Sequence, residues 1–407
     1  MGFLFGSGGI FSNTPALYNS GGVISIDNNL GNIALIGNSP RAVSSVMRNY
    51  SIDALNNNKA VVVLRNSANG FSAYPTVMST RRTMHEIDVC EQQSAEQYDG
   101  LAGYSDKEKE TAIIQLMEVF GSIEPSKKVR YQNYISIIRS LLATRGKKLR
   151  LNELYLYNVD EVETLNATAR ISDAERMRNE RFLSSFRTDL IEFETYCFEF
   201  ERNITGHIMS GTKSLEDIFA SKQLIEFSFD FKSNKDDSNV LLKAVVNSLC
   251  KFNAAAAGKN GLVVVINEIP NESLISAEVQ RLIKNLPGCR VVYSIADISK
   301  LVEESNDWIE YADSYFFLLQ TSDKNKEFSS AFFGTYEKQK VTTNTGRSDP
   351  TFWDRLANRG SSSRTSGTSV TTEKERVYLP EVFSTMPPNE AIYFFKSSNS
   401  HNRITLF

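Results

Sequence analysis

Histidine is scarce and cysteine sparse in this chain of 407 residues, with three histidines (His85, His207, His401) and four cysteines (Cys90, Cys197, Cys250, Cys289). No two histidines stand at ligand spacing and no CxxC pair occurs. This argues against a His-rich metal centre, zinc ribbons and dithiol redox motifs. The wide cysteine spacing fits reduced thiols in a cytosolic setting. No GxSxG motif is present, and the nearest Cys/His pair, Cys90 and His85, is a coincidence of spacing. Hydrolase chemistry of the Ser/His/Asp or Cys/His kind therefore has no support. Long hydrophobic runs are missing too. A membrane span needs about 18 apolar residues, whereas the longest runs here, such as Val61–Leu64 and Leu262–Ile266, are strand-length. No basic segment leading into an apolar one opens the chain. Gly6 stands where a myristoylation signal needs Ser or Thr. The expectation is a cytoplasmic chain that meets a membrane only through partners. Neither sign of charge dominates: 45 Lys and Arg against 48 Asp and Glu give a net charge of −3. Any nucleic-acid contact has to be local, on a stripe or channel.

What is present is ordinary globular composition, 41% apolar and 23% charged, in a chain long enough for two to three domains. Residues 1–30 are rich in Gly, Ser and Asn and read as an irregular or edge-strand lead-in. Asn32–Gly37 (NIALIG) then reads as a buried strand entering a loop. Pro40 opens a helix to about Asn57, with Ser39 as its N-cap. Lys59–Leu64 (KAVVVL) is a second buried strand. Strands that are apolar throughout, alternating with helices, predict a parallel sheet covered on both faces. Between 95 and 222 strand-like runs nearly vanish. Helical spacing fills 106–120, 128–145 and 172–204, where Phe182, Phe186, Leu190, Phe193, Tyr196 and Phe200 sit among many charges. The bland reading of that stripe is an amphipathic helix with one solvated face. From 223 the α/β rhythm returns, with strands at Leu224–Phe229, Leu262–Ile266, Arg290–Ile295 and Tyr315–Leu319 and helices between them. Residues 341–373, rich in Ser, Thr and Gly, read as a mobile loop, and Ala391–Phe395 as a closing strand. One α/β core, 1–94 and 223–407, interrupted by an all-helical insertion at 95–222, explains this order.

Two places carry the spacing of nucleotide chemistry. A phosphate loop runs Gly, four residues, Gly, Lys, then Ser or Thr, between a strand and a helix, so that backbone N–H groups curl round the phosphates, the Lys reaches the terminal ones and the hydroxyl holds magnesium. Gly37–Ser44 (GNSPRAVS) has the position and length. Gly37 comes first and Ser44 last, but Ala42 replaces the second Gly and Val43 the Lys. Arg41 is the candidate that reaches back as a substitute. The bland reading is a strand–helix turn without ligand. Further on, Leu262–Glu268 (LVVVINE) ends where such enzymes place Asp-Glu, the Asp on magnesium and the Glu positioning water. Here Asn267 replaces the Asp, and Glu268 remains as the candidate catalytic residue or as a plain helix-entry residue. Two basic clusters are nucleic-acid candidates: Lys127, Lys128 and Arg130, with Tyr131 and Tyr134 beside them, and Arg145, Lys147, Lys148 and Arg150. Each reads equally as a solvated helix end. No residues suggest a metal site independent of nucleotide.

From Ser214 onward the chain resembles the coupling-protein ATPases of type IV secretion and conjugation. The likeness rests on SLEDIFASKQLIEFSFD (Ser214–Asp230), GLVVVINEI (Gly261–Ile269), CRVVYSIADISKL (Cys289–Leu301), SSAFFGTYEK (Ser329–Lys338) and RVYLPEVFSTMPPNEAIYFF (Arg376–Phe395). The insertion at 95–222 has the place and size of that family's all-α domain. The resemblance implies a RecA-like P-loop core, a helical domain that contacts the cargo complex, and assembly with like subunits or with an active ATPase. It also places Ala296 where the family carries its γ-phosphate-sensing Gln. Val43, Asn267 and Ala296 thus lack three nucleotide-handling groups at once, while the core strands read as intact. Each charge aimed at a transferring phosphoryl group is worth about 3–4 kcal/mol of transition-state stabilisation. Three readings stay open. One is a catalytically impaired pseudo-ATPase that serves conjugation or secretion as a docking or assembly subunit and needs no cofactor. Another is an active DNA translocase using ATP and magnesium, with Arg41 and Glu268 sufficing. The third is a phage or mobile-element protein that keeps only the fold.

Overall fold

The computed structural model describes residues 18–20, 23–25, 30–67, 83–88, 97–202, 204–268, 272–286, 288–298, 311–348 and 363–406. The Cys90 position lies outside them. The chain divides into two compact units, one of Met1–Leu318 with Pro388–Phe407 and a second of Leu319–Pro387.

The first unit is built on a nine-stranded sheet. Its strands, in chain order after a small hairpin of β1 (Tyr18–Ser20) and β2 (Val23–Ser25), are β3 (Ile33–Ile36), β4 (Ala60–Asn66), β5 (Met84–Asp88), β6 (Leu224–Phe229), β7 (Leu262–Asn267), β8 (Cys289–Ile295), β9 (Ser314–Phe317), β12 (Glu390–Phe395) and β13 (Ser400–Thr405). The order across the sheet is β13-β12-β9-β3-β8-β7-β4-β6-β5. Seven strands from β9 to β5 are parallel, and β12 and β13 close one edge antiparallel. β3, β6, β7 and β9 are buried along their whole length. This is the physical reason their sequences are mostly apolar instead of alternating: both faces of a parallel sheet are covered. Helix α1 (Pro40–Asn56) follows β3 and presents Ala42, Val43, Val46, Met47, Tyr50 and Ala54 to a core shared with Ile33, Leu35, Val61, Val63 and Val265. Tyr50 buries its ring and donates its hydroxyl to Gly31 O at 2.7 Å, and burial pushes that hydroxyl's pKa up.

Between β5 and β6 the described residues hold helices joined by turns and loops, and one isolated bridge, Asp99 with Ser210. The main helices are α2 (Asp106–Phe120), α3 (Pro125–Ala143), α4 (Val159–Thr168), α5 (Asp173–Phe186) and α6 (Leu190–Arg202). The single periodic stretch expected at 172–204 is broken at 187–189, because the apolar stripe folds back on itself. Phe186 and Phe193 meet at 5.7 Å, and both pack on Tyr134. Tyr134 stacks on Phe186 at 4.2 Å and donates its hydroxyl to Tyr157 O. Tyr131 and Tyr134 are fully buried; they are the aromatic centre of this block and not a base-stacking surface.

The second unit holds α7 (Asp323–Phe332), α8 (Pro380–Ser384) and two 14-residue strands, β10 (Thr335–Ser348) and β11 (Ser363–Arg376), paired antiparallel with each other alone among the described residues. The expectation of a loop over 341–373 is corrected here: 341–348 and 363–373 are strand. Loop composition misleads because Thr, at seven of these nineteen positions among Ser and Gly, is itself a good strand former.

Candidate functional site

A crevice outside the carboxyl ends of parallel strands, where neighbouring connections leave in opposite directions, is the place such a sheet offers a ligand. β3 occupies that place. It passes through α1 to β4 on one side of the sheet, while β9 flanks it on the other. Gly37 begins the turn after β3, with φ of 133° and its N–H donated to Ile295 O at 3.0 Å. The ends of β3 and β8 are thereby tied together.

The sequence spacing of Gly37–Ser44 does not become a wrapped loop. Only Gly37, Asn38 and Ser39 lie in the turn, because the helix starts at Pro40. Pro40 has no N–H to offer. Val43 N is already committed to Ser39 O at 3.0 Å. The Ser39 hydroxyl, expected to cap the helix, instead donates to Pro388 O at 2.8 Å. Val43, the residue expected at the lysine position, is 1% exposed and belongs to the apolar core under α1. Arg41 is exposed and Ser44 half-buried on the same helix. A phosphate cradle needs a longer glycine-rich wrap of N–H groups and a lysine reaching outward. The residues present here do not fit one.

The neighbouring strand ends are linked by one hydroxyl. Ser294 Oγ on β8 accepts from Glu268 N at 2.8 Å and donates to Asn267 Oδ1 at 3.3 Å. Asn267 is 1% exposed and Ser294 2%. A neutral amide satisfies this buried position without the desolvation cost of a carboxylate. Glu268, just past β7, holds a left-handed backbone with φ of 47°, a conformation uncommon for a residue with a side chain. Burial raises its carboxyl above the ordinary range. Ala296 follows β8 at the same rim, half-buried. The structure therefore gathers Gly37, Asn267, Glu268 and Ala296 along one end of the sheet. It leaves Arg41 and Ser44 on α1. Among the described residues, no group of carboxylates, histidines or cysteines is arranged to hold a metal ion.

Sequence reading missed the rest of this rim. Register places Leu35, Ser294, Asn267, Arg65, Ser228 and Asp88 at one level across six strands. Arg65 Nε donates to Glu226 Oε1 at 2.5 Å, and Glu86 stands 4.0 Å away. Glu226 has no exposed surface, and Ser228 Oγ is buried without a hydrogen-bond partner among the described residues. The available signal was a charge inside each apolar run, Arg65 in AVVVLRN and Glu226 in LIEFSF, at positions the parallel pairing brings together.

The basic clusters fall differently. Lys127 pairs with Glu192, Lys128 with Glu118 and Arg130 with Asp189, so the first cluster is neutralised by its own helical neighbours. Arg145, Lys147, Lys148 and Arg150 are all exposed around the turn after α3. Within it Lys148 lies 3.6 Å from Asp99 and Arg150 3.5 Å from Glu153.

No protein-family model matches the chain, and no curated protein matches it. Solved structures do. The bacterial conjugative coupling protein TrwB, in its unbound monoclinic form, superposes with a TM-score of 0.56 at 13% identity over 92% of this chain and 84% of that one. TrwB in complex with ADP and Mg2+ gives 0.54 at 12% identity, over 92% and 84%. VirB4 of Thermoanaerobacter pseudethanolicus gives 0.53 at 7% identity, over 92% and 89%. The chain has the fold of the type IV coupling-protein ATPases, a large mostly parallel sheet with helices. No helix among the described residues is long and apolar enough to cross a membrane.

Proposed function

We propose that this protein is a catalytically impaired relative of the type IV coupling ATPases that works as a docking or assembly subunit in conjugative or secretory transfer. The observation that carries the reading is Val43. At the position where phosphate-loop enzymes hold their lysine, this chain places a valine sealed in the core under α1, behind a three-residue turn. Asn267, hydrogen-bonded inside the protein to Ser294, and Ala296 remove the magnesium-holding and γ-phosphate-sensing groups. Three charge-handling groups are absent from a rim whose strands remain fully packed. In this reading the helical block, 95–222, holds the partner, and the α/β core, 1–94 with 223–407, packs against like subunits or an active ATPase. Association with a membrane comes through those partners.

A competing reading, an active ATP-driven DNA translocase, draws on Glu268, which is strained, half-buried and held at the tip of β7 as a water-positioning carboxylate would be. It also draws on TrwB, which has been captured with ADP and Mg2+. Calorimetric titration with ATP and ADP, each with magnesium, followed by phosphate release on the same sample, separates the two. The expected outcome is no heat of binding at millimolar nucleotide and no release. Saturable binding with turnover that Glu268→Gln abolishes would put the motor first and make ATP and magnesium its cofactors.

A further inference from the structure

Helix α6 is apolar on two sides. Phe193, Cys197 and Phe200 are buried in the helical block, where Phe193 packs on Tyr131, Tyr134 and Phe186. One such stripe is all a surface helix needs to hold its place. Yet Ile191 is 81% exposed and Phe198 43%. Seven residues apart, they stand two turns from each other on one face, about 10.5 Å along the axis. Thr195 lies between them, exposed, its hydroxyl donated back to Ile191 O at 2.9 Å. The strip runs on to the 3₁₀ turn Leu151–Leu156, where Tyr155 packs on Phe198 at 5.8 Å and Leu156 is 49% exposed. Single exposed apolar residues need no explanation, but a run of them inside a polar rim marks a contact surface.

The rim is acidic. Several charges close to this helix are neutralised within the block: Glu192 pairs with Lys127, Asp189 with Arg130, and Arg187 with Asp160 and Glu163. Glu194 and Glu201 on one flank of the strip, and Glu199 on the other, form no ion pair among the described residues. Arg202, in the last turn, is the one cation of the helix. A face of this sign repels nucleic acid and anionic lipid and attracts a basic protein segment. Two apolar anchors two turns apart are the spacing at which an amphipathic helix presents its own i and i+7 residues. We propose that the α6 face of Ile191 and Phe198, continued by Tyr155 and Leu156, docks a basic amphipathic helix of a partner protein. Its apolar side chains cover Ile191 and Phe198, and its flanking Lys or Arg meet Glu194, Glu199 and Glu201. This surface rests on the reading above only in that the helical block holds a partner.

The test is fluorescence anisotropy of a labelled peptide of about 18 residues, with leucines at helical spacing and lysines elsewhere, titrated with the full chain. The same peptide with glutamates for the lysines is the charge control. The wild type should bind the Leu/Lys peptide and not the Leu/Glu one. Ile191→Lys should weaken binding about tenfold or more while its melting temperature stays that of the wild type. Phe198→Ser should act in the same direction, but it also loses the Tyr155 contact, so Ile191→Lys is the deciding variant. Glu194→Gln/Glu201→Gln should weaken binding about threefold at low salt and by less at high salt. Four results overturn the docking face: no binding of the Leu/Lys peptide, equal affinity in the wild type and Ile191→Lys, equal affinity for the Leu/Glu peptide, or a change of oligomeric state in Ile191→Lys with peptide binding intact, which would give the strip to a second copy of this chain. Nucleotide turnover in the calorimetry would displace the docking-subunit reading and leave the peptide result standing. Peptide failure with silent calorimetry would remove this surface and leave that reading.

Discussion

Val43 and Asn267 illustrate how a single position decides what a fold can hold. In the reading proposed above both stand where phosphoryl-transfer enzymes place a charge, and both are almost fully buried in this chain. Restoring the charge does not restore a site that has closed around an uncharged group. Val43→Lys puts an ammonium into an apolar core at a cost of several kcal/mol. Chemical denaturation should show that loss, and calorimetry should show no gain of ATP binding. The Arg65–Glu226 pair makes the complementary case. Arg65→Met leaves the Glu226 carboxylate buried without the guanidinium that pairs with it and should destabilise the fold by about 3–5 kcal/mol. The double variant Arg65→Met/Glu226→Leu should recover most of that in urea denaturation. If the double variant is no better than the single, the pair is not what holds the rim.

The helical block shows at the scale of elements how the same residue types divide between core and surface. On α6, Phe193 is 1% exposed and packs against Tyr131, Tyr134 and Phe186, whereas Ile191, two residues earlier, is 81% exposed. Phe193→Ala should therefore cost about 3–5 kcal/mol, while Ile191→Lys should change stability by no more than about 0.5 kcal/mol. Equilibrium unfolding of the two variants side by side checks both. Ile191→Lys then becomes a clean probe of the partner binding proposed for this block, since it alters a surface without altering the fold. Sequence periodicity found α2, α3 and the stretch that becomes α5 and α6 and named its aromatic stripe, but it missed α4. It did not see the break at 187–189, because a stripe that continues across a turn keeps the same composition on both sides of it.

At the scale of the whole molecule, the sheet's far edge carries an acid-sensitive group. Burial, with smaller help from Lys222 and Lys213, lowers His85 on β5 to about 4 from the ordinary 6.5. Above pH 6.5 both folded and unfolded chains hold it neutral. As pH falls from 6.5 toward 4 the unfolded chain takes up the proton and the folded chain does not, so stability falls through that window. Melting temperatures measured at pH 7, 5.5 and 4.5 should drop more steeply in the wild type than in His85→Gln. Parallel curves would mean that other groups set the acid limb.

The sequence by itself determined the parallel α/β core, the helical insertion and the valine at position 43 of Gly37–Ser44. Each is written locally, as continuous apolar runs, helical spacing or the identity of one residue in a motif, and local signals survive without knowledge of the partners they meet. Tertiary structure alone decided three other things. It decided that Gly37–Ser44 is a three-residue turn running into a helix, because Val43 is drawn into the core by Leu35, Val63 and Val265 from distant strands. It decided that Ser294 joins Asn267 to Glu268, a contact set by the pairing of β7 with β8. And it decided that a Ser- and Thr-rich stretch pairs into a ribbon that brings Arg347 level with Arg364. In each case the deciding partner lies far along the chain, and strand register is a property of two segments that neither carries alone.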